Sequence, residues 1–473
     1  MRPHVLYVTP ILGYPAIGGP RLRTYNTLRA LARCADVSVV LTDQPDTADR
    51  RAAQAHLLTF CRDVEFPLPN PSAAGRSRAR SALRVLVPSP VRRVVRRWLT
   101  GPHAMSLEPP AGAALAAARI ASLARRRVPG LGRSQRSDAD RALKVESGEP
   151  AARDPRVVDG LRDRIAREQP DLVWLGFGGI SYDLVPLRAQ TGKPLVLETE
   201  CVWSRFVLRE LPFAADESQR QRIVRAGRAK EAEERAGAAL VDLTTAVSEV
   251  DAEYFRGLAA DPGRVMLLAN VIDVDAYQQA PTPPTDVRLR PPALIFAGSL
   301  SRGTANVDAT GWLVDEVLPI VWRRRPDVHV YLVGRSPAPE VLARRGPRIH
   351  VTGEVPSIAP YLRASVAALV PLRWESGTRF KILEAFACRT PVVSTTLGAE
   401  GLAVEHGRHL LLADDPVDFA SAILSLVETP ALRERLVEPA YNLVRAEYDL
   451  SSAERQINAI LARLGVLHEA VRP

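Results

Sequence analysis

No run of about 20 uncharged apolar residues occurs in the 473-residue chain, so no segment reads as a membrane-spanning helix. Cysteine is scarce. Cys34, Cys61, Cys201 and Cys388 stand far apart, with neither the spacing of a zinc site nor the density of a disulfide scaffold. That predicts a reducing, cytoplasmic setting and no structural metal. The start lacks the layout of a signal peptide, because Met1-Arg2-Pro3-His4 leads straight into a strand-like Val5-Leu6-Tyr7-Val8. The glycines after that strand do not form a Gly-x-Gly-x-x-Gly dinucleotide fingerprint. No aromatic interleaving or recognition motif accompanies the basic residues, which argues against nucleic acid as the partner.

What is present is a globular composition and a net charge of +10, which favours an anionic partner without naming it. The length suits two domains. Val5 to Thr9 reads as a parallel strand, followed by a loop with Gly18-Gly19, a helix from about Arg21 to Ala32 and a second strand, Val37 to Thr42. The glycine pair is either a plain turn or a place where backbone approaches a ligand. Arg76 to Thr100 holds eight arginines and no acid. Its apolar residues Val91, Val94, Val95, Trp98 and Leu99 fall at helical spacing, which fits contact with an anionic membrane surface or, equally simply, a solvated core-facing helix. Residues 125–155 are rich in proline, glycine and charge and read as a mobile loop.

Regular patterning resumes with a helix over Val157 to Arg167 and a strand over Asp171 to Leu175. The following Gly176-Phe177-Gly178-Gly179-Ile180-Ser181 is weakly like a phosphate loop, but reads better as a tight strand-to-helix turn. Pro194 to Glu198 is a strand whose end brings Glu198 and Glu200 to the sheet edge, where acceptor-binding groups are expected. Ser218 to Ala239 is a long charged helix, and Ser248 reads as an N-cap with Asp251 its box partner. Gln278 to Pro292 is proline-rich and marks a linker. Strand, glycine turn and helix then recur at Ala293 to Ala297, Gly298 to Gly303 and Asn306 to Arg324.

The most informative stretch runs from Pro371 to Ser394. Apolar strands over Ser365 to Val370 and Pro391 to Thr395 bracket a helix that starts near Gly377-Thr378. A helix N-terminus between parallel strands offers free amides and partial positive charge to an anion. Arg379 and Lys381 add cations there, and Glu384 can accept hydrogen bonds from the hydroxyls of a ribose. Together these residues describe a pocket for a nucleoside diphosphate.

The run Gly377-Thr378-Arg379-Phe380-Lys381-Ile382-Leu383-Glu384-Ala385-Phe386-Ala387-Cys388-Arg389-Thr390-Pro391-Val392-Val393-Ser394 resembles the donor-sugar signature of GT-B glycosyltransferases, in particular the retaining family 4. Leu397-Gly398-Ala399-Glu400-Gly401 fits that family too, and Asn270-Val271-Ile272-Asp273 matches it in part. The family's second signature glutamate falls on Glu384. The first falls on Ser376, with Glu375 one place early, so either Glu375 substitutes through a bulged loop or the role is missing. The resemblance implies an α/β architecture of two doubly wound Rossmann-like domains facing across a cleft. Residues 1–277 form the acceptor-side domain, with a basic, flexible insertion at 76–155. Residues 278–292 form the linker, 293–450 the nucleotide-sugar domain, and 451–473 a helix crossing back to the first domain.

The resemblance also implies the site. Arg379, Lys381 and Glu375 are the catalytic candidates. Gly18, Gly19, Gly298, Arg302, Val355, Ser376, Gly377, Thr378 and Glu384 are the donor contacts, and Glu198 and Glu200 the acceptor-side candidates. The expected reaction moves a sugar, with retention, from a nucleotide sugar to a glycan or lipid-linked acceptor in polysaccharide biosynthesis. It needs neither metal nor cofactor, and takes place in the cytoplasm or peripherally on the inner face of the plasma membrane through Arg76 to Thr100. A nucleotide-sugar epimerase and a non-catalytic sugar-nucleotide sensor are the alternatives.

Overall fold

Thirteen short strands among the described residues, most of them apolar runs, form the two sheets at the centre of the fold. The computed structural model describes residues 2–12, 14, 16, 18–42, 47–65, 155–279 and 289–467. The arginine-rich stretch at 76–100 and the loop at 125–154 lie outside the described residues. Seven strands form the first sheet: β1 (His4–Thr9), β2 (Asp36–Leu41), β3 (Asp63–Glu65), β4 (Leu172–Leu175), β5 (Leu195–Glu198), β6 (Leu243–Ala246) and β7 (Val265–Leu267). They run parallel in the order β3-β2-β1-β4-β5-β6-β7. Six form the second: β8 (Ala293–Ala297), β9 (His329–Val333), β10 (Ile349–Gly353), β11 (Ala367–Val370), β12 (Val392–Ser394) and β13 (Leu411–Leu412). These also run parallel, in the order β10-β9-β8-β11-β12-β13. Such sheets must be covered on both faces, which is why β4 and β11 are buried at every position.

Both sheets reverse strand order beside their first strand, β1 or β8. That puts the crevice for a ligand at the C-terminal ends of the strands, where the loops after β1, β5, β8 and β11 gather. Each lobe has its own apolar core, one around Phe296, Phe386 and Phe419, the other around Tyr7, Leu31 and Trp174. The last helix, Leu450–Arg463, packs into the N-terminal core through Ile457, Ile460 and Leu461. The two crossings between lobes lie side by side: Ile272 N–H donates to Tyr448 O at 2.9 Å and Val274 N–H to Asp449 Oδ1 at 3.1 Å.

Three local expectations are refined. The helix expected over Asn306 to Arg324 takes a wide π turn at Leu313–Val317, because Pro319 has no N–H to give to the preceding turn. Ser248 caps helix Glu249–Leu258 by accepting from Asp251 N–H at 3.2 Å. The Asp251 carboxylate does not close a capping box; it lies 3.9 Å from Arg205. At 176–181, Gly176 and Gly178 serve close packing, since an added Cβ would meet Tyr7 Oη at 2.4 Å or Glu198 O at 3.0 Å.

Candidate functional site

The loop after β11 builds the site. Helix Phe380–Ala387 starts three residues later than the sequence predicts. Gly377 has φ +80°, and Arg379 is extended and lacks a side-chain capping bond. The cause is the opposite lobe. Gly377 packs so tightly on it that an added Cβ would stand 2.7 Å from Glu200 O and 2.9 Å from Cys201 Cβ. Thr378 Oγ1 accepts from Asn270 Nδ2 at 2.8 Å, so this loop is held from across the cleft. Asn270, expected only as a fragment of a family motif, is therefore a tie between lobes.

Past the loop the first helical turn presents amides that no side chain caps. Lys381 stands in that turn. Its ammonium donates to Asn306 Oδ1 at 2.7 Å and lies 4.8 Å from the centroid of the Phe296 ring. Glu384, one turn on, accepts from Tyr277 Oη at 2.7 Å. Burial pushes the Lys381 ammonium down to about 8, opposed by Glu375 and Glu384 and reinforced by Arg379. Burial also pushes the Glu384 carboxyl up to about 7, against the Tyr277 hydrogen bond and the Lys381 charge. Burial thus brings the two groups toward each other in pH, the lysine down and the glutamate up, as in a helix face that is not freely solvated.

Arg379 does not join Lys381 in a two-cation clamp, and that expectation is corrected. Its side chain is 4% exposed and folds back, with Nη1 donating to Ser376 O at 2.8 Å and also to Gly377 O. Its Nε lies 3.7 Å from Glu375 Oε2. Glu375 therefore faces Arg379, and Ser376 Oγ and Arg379 Nη2 are buried without a hydrogen-bond partner among the described residues. From the N-terminal lobe, Arg209 reaches across to Glu375 O at 2.7 Å and to both oxygens of Glu400, at 2.5 and 2.8 Å.

The remaining candidates divide. Gly18, with φ +88°, precedes helix Gly19–Cys34 and has open space beside it, while an added Cβ on Gly19 would lie 3.4 Å from the Phe380 ring of the opposite lobe. Gly298 opens the turn after β8. Val355, after β10, is partly buried against the C-terminal core. Arg302 points into solvent, 76% exposed, with Glu340 at 3.5 Å, and in this conformation grips nothing in the cleft. Glu200 accepts from the Trp203 indole at the lobe junction.

Glu198 is a correction. It is 1% exposed, and its oxygens are taken by Thr27 Oγ1 at 2.9 Å, Tyr7 Oη at 2.9 Å and Trp174 Nε1 at 2.7 Å, with Arg23 Nε paired at 2.9 Å. It holds the core beneath the cleft and leaves no lone pair for an acceptor. Among the described residues no group of three or more His, Cys, Asp or Glu is placed to hold a metal ion. Of the nearby aspartates, Asp273 pairs with Arg29 and Asp275 with Arg445. None of the described helices is long and apolar enough to cross a membrane.

The same lobes are found in solved structures. Sucrose-phosphate synthase from Thermosynechococcus elongatus matches at a TM-score of 0.62 and 17% identity, over 98% of this chain and 99% of that one. HepE from Anabaena in complex with UDP matches at a TM-score of 0.59 and 14% identity, over 97% and 99%. The fold is GT-B. Residues 291–429, which hold Asn306, Lys381 and Glu384, match the family model described as Glycosyl transferases group 1. Among curated relatives, D-inositol 3-phosphate glycosyltransferase 2 from Catenulispora acidiphila is 30% identical over 197 residues. That match covers 38% of this chain and 46% of the relative, so the chain spans less than half of the relative's length.

In this GT-B chain, sequence reasoning missed Asn306, Tyr277 and Arg209. Asn306 was read only as the start of the helix after the glycine turn, and its partner Lys381 is 75 residues away in the chain. Tyr277 and Arg209 carried no signal, because their partners Glu384 and Glu400 are more than a hundred residues away in the chain.

Proposed function

We propose that this chain transfers a sugar, with retention and without a metal, from a nucleotide sugar to a glycan or lipid-linked acceptor. The donor binds in the C-terminal lobe and the acceptor in the N-terminal lobe. The observation that carries this reading is the set of polar groups gathered inside the matched segment. The Lys381 ammonium, the Glu384 carboxyl and the buried, unpartnered Ser376 Oγ adjoin an uncapped helix start. Lys381 and the first-turn amides take the diphosphate, and Glu384 takes the ribose hydroxyls. As the bond from the sugar carbon to the phosphate oxygen breaks, charge grows on the departing diphosphate, and the ammonium stabilises it. The acceptor oxygen bonds to the sugar on the face just vacated, and its proton passes to the leaving phosphate oxygen. A lipid-linked acceptor in polysaccharide biosynthesis would suit the basic stretch at 76–100, placing the chain on the cytoplasmic face of an anionic membrane.

The test is a donor panel assayed for nucleoside diphosphate release in EDTA, with and without lipid-linked acceptors. Acceptor-dependent release with an unchanged anomeric configuration is the expected result. Conversion of the sugar without acceptor would make the chain an epimerase, and binding without turnover would make it a sensor.

A pH window follows from the two titrating groups. Lys381 must be protonated, which is lost as pH rises through about 8, and Glu384 ionised, which is lost as pH falls through about 7. Affinity for the nucleoside diphosphate, followed by calorimetry, should peak between those values and fall on either side. A flat profile from pH 6 to 9 would exclude these groups as the ligands of the donor.

A further inference from the structure

The chain has four lysines, at 144, 193, 230 and 381, among 63 lysines and arginines. Arginine is its ordinary cation, always charged and spread over a planar fork, whereas lysine is a compact ammonium that titrates. At 381 that ammonium is held in place. Asn306 Oδ1 accepts from Lys381 Nζ at 2.7 Å, and Asn306 Nδ2 donates to Ser299 O at 2.9 Å. Because the donor end of the amide is tied to backbone, its acceptor end must face the lysine. The amide also lies against Gly298, where an added Cβ would come within 2.8 Å of it. A side chain at 298 would displace Asn306, which gives that glycine a role in the site.

We propose that Asn306 is the positioning residue of Lys381: its amide locks the ammonium to the glycine turn after β8, so that turn and cation meet a diphosphate as one unit. This rests on the donor-site reading above. The charged groups facing Lys381 are Glu375 and Arg379 from its own loop and Glu384 from its own helix, with Tyr277 beyond Glu384 and the Phe296 ring from β8. Asn306 is the neutral group among them in direct contact with Nζ. A carboxylate there would neutralise the ammonium and compete with phosphate, and a methyl would let it swing away.

The experiment is pH-dependent acetylation of Lys381 in the ligand-free full chain, read by mass spectrometry for the parent, Asn306→Ala and Asn306→Asp. The parental midpoint should lie near 8. Asn306→Ala removes a hydrogen bond that favours the charged form and should move the midpoint down, while Asn306→Asp adds an opposite charge and should move it up. Opposite shifts are something a merely structural asparagine would not produce, and the near-isosteric Asp variant guards against misfolding of the Ala one. In parallel, UDP, GDP and ADP are titrated into each protein, and Asn306→Ala should weaken whichever binds the parent by about tenfold or more. Midpoints that coincide in all three proteins, or parental affinity in Asn306→Ala, overturn the positioning role even if the donor site stands. Opposite midpoint shifts with no nucleoside diphosphate bound by the parent would uphold the positioning and overturn the donor reading.

Discussion

Lys381→Ala is expected to lower the turnover number by about a hundredfold or more, the usual loss when one preorganised electrostatic group is removed from a reaction that builds charge. The departing diphosphate is more negative in the transition state than in the bound donor, so the loss falls on turnover more than on donor affinity. The prediction falls on Lys381 because Arg379, the other cation of the motif, turns its Nη1 back onto the carbonyls of Ser376 and Gly377. Lys381→Arg is the informative companion. It keeps a charge that does not titrate, so activity it retains should persist above pH 8, where the parent declines. Parental turnover in Lys381→Ala would remove the residue from the chemistry.

Glu198→Ala should destabilise the N-terminal lobe rather than impair acceptor binding. The substitution leaves Arg23 buried and unpaired at 4% exposure and strands the Tyr7 hydroxyl and the Trp174 indole. Removing one partner of a buried ion pair costs roughly 3–5 kcal/mol, which lowers the melting temperature by on the order of 10 °C. A scanning calorimetry trace decides the matter. Unchanged melting with a raised acceptor KM would restore Glu198 to the acceptor site and contradict its structural role.

The two lobes were legible because their strands are short apolar runs between turns, and that pattern is local. The helix between β11 and β12 was legible in outline for the same reason, since apolar strands bracket it. What was not legible depends on partners distant in sequence. Glu198 stands at a strand end, the usual place for a site residue, and only the fold shows that Tyr7, Arg23, Thr27 and Trp174 converge on it. The late start of the donor helix could not be read either, since it follows from the pressure of Glu200 and Cys201 on Gly377. Arg379 misled because a cation beside a helix start resembles an anion ligand until its own loop carbonyls are seen to take its hydrogen bonds.

The central claim is that the C-terminal lobe is a nucleoside diphosphate site built on Lys381. Calorimetric titration of UDP, GDP and ADP in EDTA at pH 7.5, with parent and Lys381→Ala side by side, tests it most directly. One nucleotide should bind the parent at a single site, and Lys381→Ala should bind it more weakly without unfolding. Absence of binding by all three, or equal affinity in the two proteins, would contradict the claim.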